Sequence, residues 1–111
     1  MLSGINLVKS FKGKFLSSNE TIYTADNNNY IVMCYVVGVS SIVNNTQSIV
    51  AIYNTSNALI STSLAYYQSG QSIPFTNLMI GQLQENSSLK FVKGGANLTV
   101  DIYIFKMNDE I

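Results

Sequence analysis

The stretch at residues 30–39, YIVMCYVVGV, restricts the possible folds more than any other part of the chain. Successive side chains of a strand point to opposite faces. One face here carries Ile31, Met33, Tyr35, Val37 and Val39, and the other carries Tyr30, Val32, Cys34, Val36 and Gly38. Both faces are apolar, so a strand with one side in water does not account for them. The run is also far short of the ~20 apolar residues that a membrane-crossing helix needs. It predicts a central strand covered on both sides, by a second sheet and by something else. In a chain of 111 residues another subunit is one candidate for that second cover.

Turn signals divide the remainder into short strands. Ser17-Ser18-Asn19-Glu20, Asp26-Asn27-Asn28-Asn29, Val43-Asn44-Asn45-Thr46, Asn54-Thr55-Ser56-Asn57, residues 68–71 and residues 84–88 all read as reversals. Strands are expected at 14–17, 21–25, 48–53, 58–67, 78–83, 89–92 and 97–107, with strand character also at 5–8. Pro74 cannot donate to a ladder, so the piece at 72–76 is expected at an edge. Gly94-Gly95 reads as a tight hairpin between the last two strands. Asn and Ser supply roughly a quarter of the chain, and both favour turns over helix interiors. Strands every 8–12 residues with turns between them predict an all-β fold, a single β-sandwich of jelly-roll type with Asn/Ser-rich turns. One such domain is expected at 13–111, preceded by an N-terminal arm at 1–12. The basic start MLSGINLVKSFKGKFL raises a targeting presequence but is read as an arm or first strand, and no signal peptide is visible.

Composition narrows the chemistry. There are six basic and six acidic residues and no histidine, which gives no clustered cationic face for nucleic acid. Without histidine, a Ser-His-Asp or Cys-His arrangement cannot be built. Cys34 is the only cysteine, sits in the strongest strand and has no base beside it, so it reads as a core residue. No loop carries clustered carboxylates for Ca²⁺, and zinc has almost no ligands to draw on. No cofactor, no metal and no catalytic residue is expected, nor a membrane partner. The sequons at Asn19, Asn44, Asn54, Asn86 and Asn97 are read as incidental to an Asn- and Ser-rich chain. Tyr66-Tyr67, beside an amide-bearing loop, reads as a carbohydrate platform, as interface anchors, or as rim tyrosines.

The order of these pieces resembles a small β-sandwich domain of tailed-bacteriophage virion proteins. Thr21-Ile22-Tyr23-Thr24-Ala25 stands at the opening, ahead of the Asp/Asn turn and the long strand. At the close, Leu78-Met79-Ile80-Gly81-Gln82-Leu83 leads through Glu85-Asn86-Ser87-Ser88 into Leu89-Lys90-Phe91-Val92. Gly94-Gly95-Ala96 and Thr99-Val100-Asp101-Ile102 follow. The opening turn lacks the family's proline and glycine, and the turn before Leu89 lacks its usual glycine. The resemblance covers about residues 14–107 and implies no catalytic residues. It implies a place in a virion as a capsid decoration, head-fibre or tail accessory protein.

The function expected is therefore that of a non-enzymatic virion structural protein, an auxiliary (decoration or cement) protein on a phage capsid. The alternatives are a phage tail or fibre accessory protein and a carbohydrate-binding module. Its partners are expected to be itself, as a homo-oligomer such as a trimer, and the major capsid or tail proteins. A glycan is the less favoured ligand. Interface candidates are Leu2, Ile5, Leu7 and Val8 in the arm, Tyr35 in the long strand, and Tyr66 and Tyr67. The last strand adds Tyr103, Phe105 and Met107, a face too apolar for open solvent.

Overall fold

The computed structural model describes residues 4–40, 48–59, 65–67 and 79–107, and within these the side chains of all but 65–67 and 79. The described residues form eight strands and no helix. These are β1 (Ile5–Leu16), β2 (Glu20–Thr24), β3 (Tyr30–Ser40), β4 (Ser48–Tyr53), β5 (Ala65–Tyr67), β6 (Met79–Leu83), β7 (Ser88–Val92) and β8 (Asn97–Met107). They make two antiparallel four-stranded sheets, ordered β1-β8-β3-β6 and β2-β7-β4-β5. The all-β, two-sheet architecture read from the turn spacing is present.

One core joins the sheets. The first contributes Val32, Cys34 and Val36 from β3 and Leu98, Val100, Ile102 and Ile104 from β8; the second contributes Val50, Ile52, Leu89 and Phe91. All are nearly or fully removed from water. Each fully buried branched or aromatic side chain contributes about 1.5–3 kcal/mol relative to exposure, so this shared interior is what holds the sheets face to face. Alternation along β8 sends Leu98, Val100, Ile102 and Ile104 inward and Thr99, Tyr103, Phe105 and Met107 outward.

With the sole exception of β4 to β5, successive strands lie in different sheets. The Gly94-Gly95 segment therefore does not make the expected hairpin. It carries the chain from β7 in one sheet to β8 in the other. The crossing is held by Ser48, a buried hydroxyl at the start of β4. Its Oγ donates to the Ala96 carbonyl at 2.7 Å and accepts the N–H groups of Gly94 at 2.8 Å and Ala96 at 3.2 Å. Those bonds give the turn partners across the sandwich instead of across a hairpin. Two other crossings, 25–29 and 84–87, are fastened side by side. The Ala25 N–H donates to the Ser87 carbonyl, the Asn86 N–H to the Asp26 carbonyl, and the Glu85 N–H to Asn29 Oδ1.

The N terminus also differs from the expected arm. From Ile5 onward it is strand, paired with β8 from Ile5↔Met107 to Leu16↔Leu98. The register shifts between Phe11 and Lys14, near the boundary expected at 12–13. Gly13, at φ +65°, takes the left-handed conformation that this irregularity requires. Residues 5–10 are nevertheless exposed on both faces, so β1 reaches past the core as a strand bonded along one side only among those described. Residues 1–3, the expected piece at 72–76 and residues 60–64 of the strand expected at 58–67 lie outside the described residues.

Candidate functional site

The long apolar strand β3 is buried on one face and half-covered on the other. Tyr30, Val32, Cys34 and Val36 point into the core, while Ile31, Met33 and Tyr35 face outward with intermediate exposure, and Val37 is exposed. The cover expected on the second side is not supplied by the described residues. Burial among apolar neighbours pushes the Cys34 thiol up to about 12, with the nearby Asp101 carboxylate a smaller cause. Cys34 is accordingly an inert core group.

The registers show what the outer face of this sheet carries. Directly opposed residues of antiparallel strands share a face. One row runs Leu7, Phe105, Ile31, Gln82 across all four strands, and a second runs Ser10, Tyr103, Met33, Ile80. Ile5 and Met107 begin a third, and Phe15 stands opposite Thr99 further along. Ile80 is 62% exposed, Leu7 and Phe15 54%, and Ile5 52%. Two of the three basic residues of β1 point away from the patch, and the third, Lys12, is exposed in the irregularity between Phe11 and Lys14. Lys9 and Lys14 oppose the core-facing Ile104 and Val100, so they lie on the other side of the sheet. Their ammonium groups sit 5.3 and 5.4 Å from the Phe11 ring centroid, and Lys14 also pairs with Glu20 at 3.2 Å.

One carboxylate belongs to this face by register, and it is tied down. Asp101 is only 5% exposed. Its Oδ1 accepts the Gly13 N–H at 2.7 Å and its Oδ2 accepts the Tyr35 hydroxyl at 2.8 Å. The carboxylate thus clasps the β1 irregularity on one side and β3 on the other. The same bond raises the Tyr35 phenol above its ordinary value. A side chain committed in this way presents no free carboxylate for acid–base work.

Of the candidates named from sequence, Ile5, Leu7, Tyr35, Tyr103, Phe105 and Met107 fall on this one face. Val8 is exposed at a register shift in β1. Tyr66 and Tyr67 lie in β5, paired with Ile49 and Ser48, on the opposite sheet and apart from this face; their side chains, and Leu2, lie outside the description. Sequence reasoning missed Phe15 and Ile80 as members of the patch. The alternation of β3 did expose Ile31 and Met33, but alternation alone does not say which face is the core.

A different surface exists on the second sheet. A cleft of about 420 Å³ is lined by Asn19, Thr21, Tyr53, Asn57, Lys90 and Val92, among others. The Lys90 ammonium lies 5.7 Å from the Tyr53 ring centroid and donates to Asn57 Oδ1. Asn57 is held at φ 62° in a turn gathered by Asn54, whose Oδ1 accepts the N–H groups of Ser56 and Ala58. An aromatic ring beside amides, one ammonium and the Glu20 carboxylate, itself paired with Lys14, is a chemistry suited to recognition. Among the described residues no three His, Cys, Asp or Glu side chains gather at metal-binding distance. Compared with family models, curated proteins and solved structures, the chain matches none.

Proposed function

We propose that the chain is a non-enzymatic structural protein of a phage particle, an auxiliary capsid protein that works through the outer face of the β1-β8-β3-β6 sheet. The observation that carries the reading is that face: largely apolar across four strands, with its carboxylate Asp101 already bonded, and open to water. Contiguous apolar surfaces of this kind mark sites of protein association. The fold is taken further, as a jelly roll. The ladders β1·β8, β2·β7, β3·β6 and β4·β5 are the nested pairs of one long hairpin, and β3·β8 with β4·β7 close it into two sheets when it is rolled. That topology recurs in capsid and lectin domains, which suits a particle component but does not select it. Self-association and contact with the major capsid protein share the same chemistry.

The test is co-purification. The protein is expected at fixed stoichiometry in purified particles, and Ile80→Asp, which alters an exposed side chain, is expected to abolish incorporation while leaving the fold intact. Absence from particles would overturn the reading. A label confined to tails would move the protein to the tail or fibre accessory role.

The second reading, a carbohydrate-binding module, is favoured by the Tyr53–Asn57–Lys90 cleft alone. Its volume falls within the ~300–1,000 Å³ of ordinary ligand sites. Saturable binding on a glycan array that is lost in Tyr53→Ala would favour it.

A further inference from the structure

We infer that the outer face of the β1-β8-β3-β6 sheet is covered by a second copy of this chain, in a twofold dimer whose axis runs parallel to the strands between β8 and β3. The inference deepens the assembly reading above and rests on it.

The argument begins with a knob and a groove on the same face. Leu7 projects from β1, at one side of the sheet, and is 54% exposed. At the other side, Ile31, Ile80, Gly81, Gln82 and Met107 line an apolar groove of about 260 Å³. A cavity of ~150 Å³ already admits a benzene-sized guest, so the groove has room for a leucine side chain. The registers place both features at the same height. Leu7 opposes Phe105, Phe105 opposes Ile31, and Ile31 opposes Gln82.

A twofold axis parallel to the strands, lying between two facing sheets, preserves height along the strand and exchanges the sides of the sheet. In the order β1-β8-β3-β6 it sets β1 of each copy over β6 of the other. Leu7 of one copy then meets the row of Gln82 and Ile31 in its partner, and the reciprocal contact forms at the same time. Such self-complementarity is what an isologous interface requires. Facing sheets pack about 10 Å apart with strands aligned within about 30°, the arrangement already used inside each chain.

Area and charge agree with this occupant. Strands of 12, 11, 11 and 5 residues, at ~3.3 Å per residue and ~4.8 Å between strands, give a footprint on the order of 600 Å² before side-chain relief. A standard interface buries ~800 Å² per partner. A copy of the same face brings no free carboxylate against it, because Asp101 is already bonded to Gly13 and Tyr35.

Sedimentation of the isolated chain tests the proposal. A species of twice 12.2 kDa is expected at high micromolar concentration. Leu7→Lys, at an exposed position, is expected to give a folded monomer with at least a tenfold weaker association constant. Adding Gln82→Glu to that variant places a carboxylate opposite each new ammonium across the interface, and is expected to restore the dimer. A wild-type chain that stays monomeric, or that forms trimers, overturns the proposal. So does a Leu7→Lys dimer of undiminished strength, or a double variant that stays monomeric. A monomer that still co-purifies with particles overturns the dimer alone. A dimer that never co-purifies overturns the virion reading alone.

Discussion

Two carboxylates and one thiol show how single side chains set this structure. Asp101 has two hydrogen bonds and little water, so Asp101→Ala strands the Gly13 N–H and frees β1 at its irregularity. Bonds to charged groups are worth about 1.5–3 kcal/mol, and a loss of that size is expected in urea denaturation, with faster amide exchange at Gly13. Asp26 acts through pH. Its carboxylate accepts the Tyr30 hydroxyl and the Asn28 amide, and these bonds, led by that of Tyr30, hold it below its ordinary value. A carboxyl with a depressed folded-state pKa stabilises the fold above its unfolded value of ~3.9 and loses that contribution as pH falls through the folded value. Unfolding midpoints at pH 7 and pH 2.5 should therefore lie closer together in Asp26→Asn than in the wild type; an unchanged gap would remove Asp26 from the acid response. Cys34→Ala should cost at most ~2 kcal/mol, as a small cavity does, and the native thiol should resist alkylation until the chain unfolds.

Among the elements, β1 and the β7–β8 crossing show what sequence does and does not reveal. The strands themselves were legible because Asn/Ser clusters punctuate them and β8 alternates without interruption between its two faces. Their partners were not legible. Gly94-Gly95 has the composition of a hairpin, but the ladders of β7 and β8 put them in different sheets, and the buried hydroxyl of Ser48, 46 residues away from Gly94, fastens the resulting crossing. A single serine among many carries no pattern that marks it. Ser48→Ala is expected to cost about 1–3 kcal/mol, because the amides of Gly94 and Ala96 lose their acceptor; a change below 0.5 kcal/mol would mean that water replaces the hydroxyl. The arm was half legible. Its apolar residues looked dispensable to the sandwich, and the side chains of residues 5–10 are indeed exposed, yet their backbone is bonded to β8. Deleting residues 1–10 should shift thermal unfolding by only a few degrees while removing Ile5 and Leu7 from the outer face. A deletion variant that fails to fold would show that the β8 ladder depends on β1.

For the whole molecule, the long apolar strand implies cover on both sides, and the described residues bury one side and leave the other partly exposed. The strand alone could not say which side, since Val32 and Met33 are equally apolar and only the second sheet, packed on Val32, separates them. Ile80 and Phe15 joined the patch through pairing, which no local pattern encodes. The chain contains no tryptophan, so Ile80→Trp would place a single reporter of polarity at the most exposed point of the face. The measurement that tests the account most directly is the emission maximum of this variant from nanomolar to high micromolar protein. The account predicts a shift to shorter wavelength as the face is covered, with a midpoint that matches the change in sedimenting mass. Emission that keeps its water-exposed maximum at every concentration would contradict it.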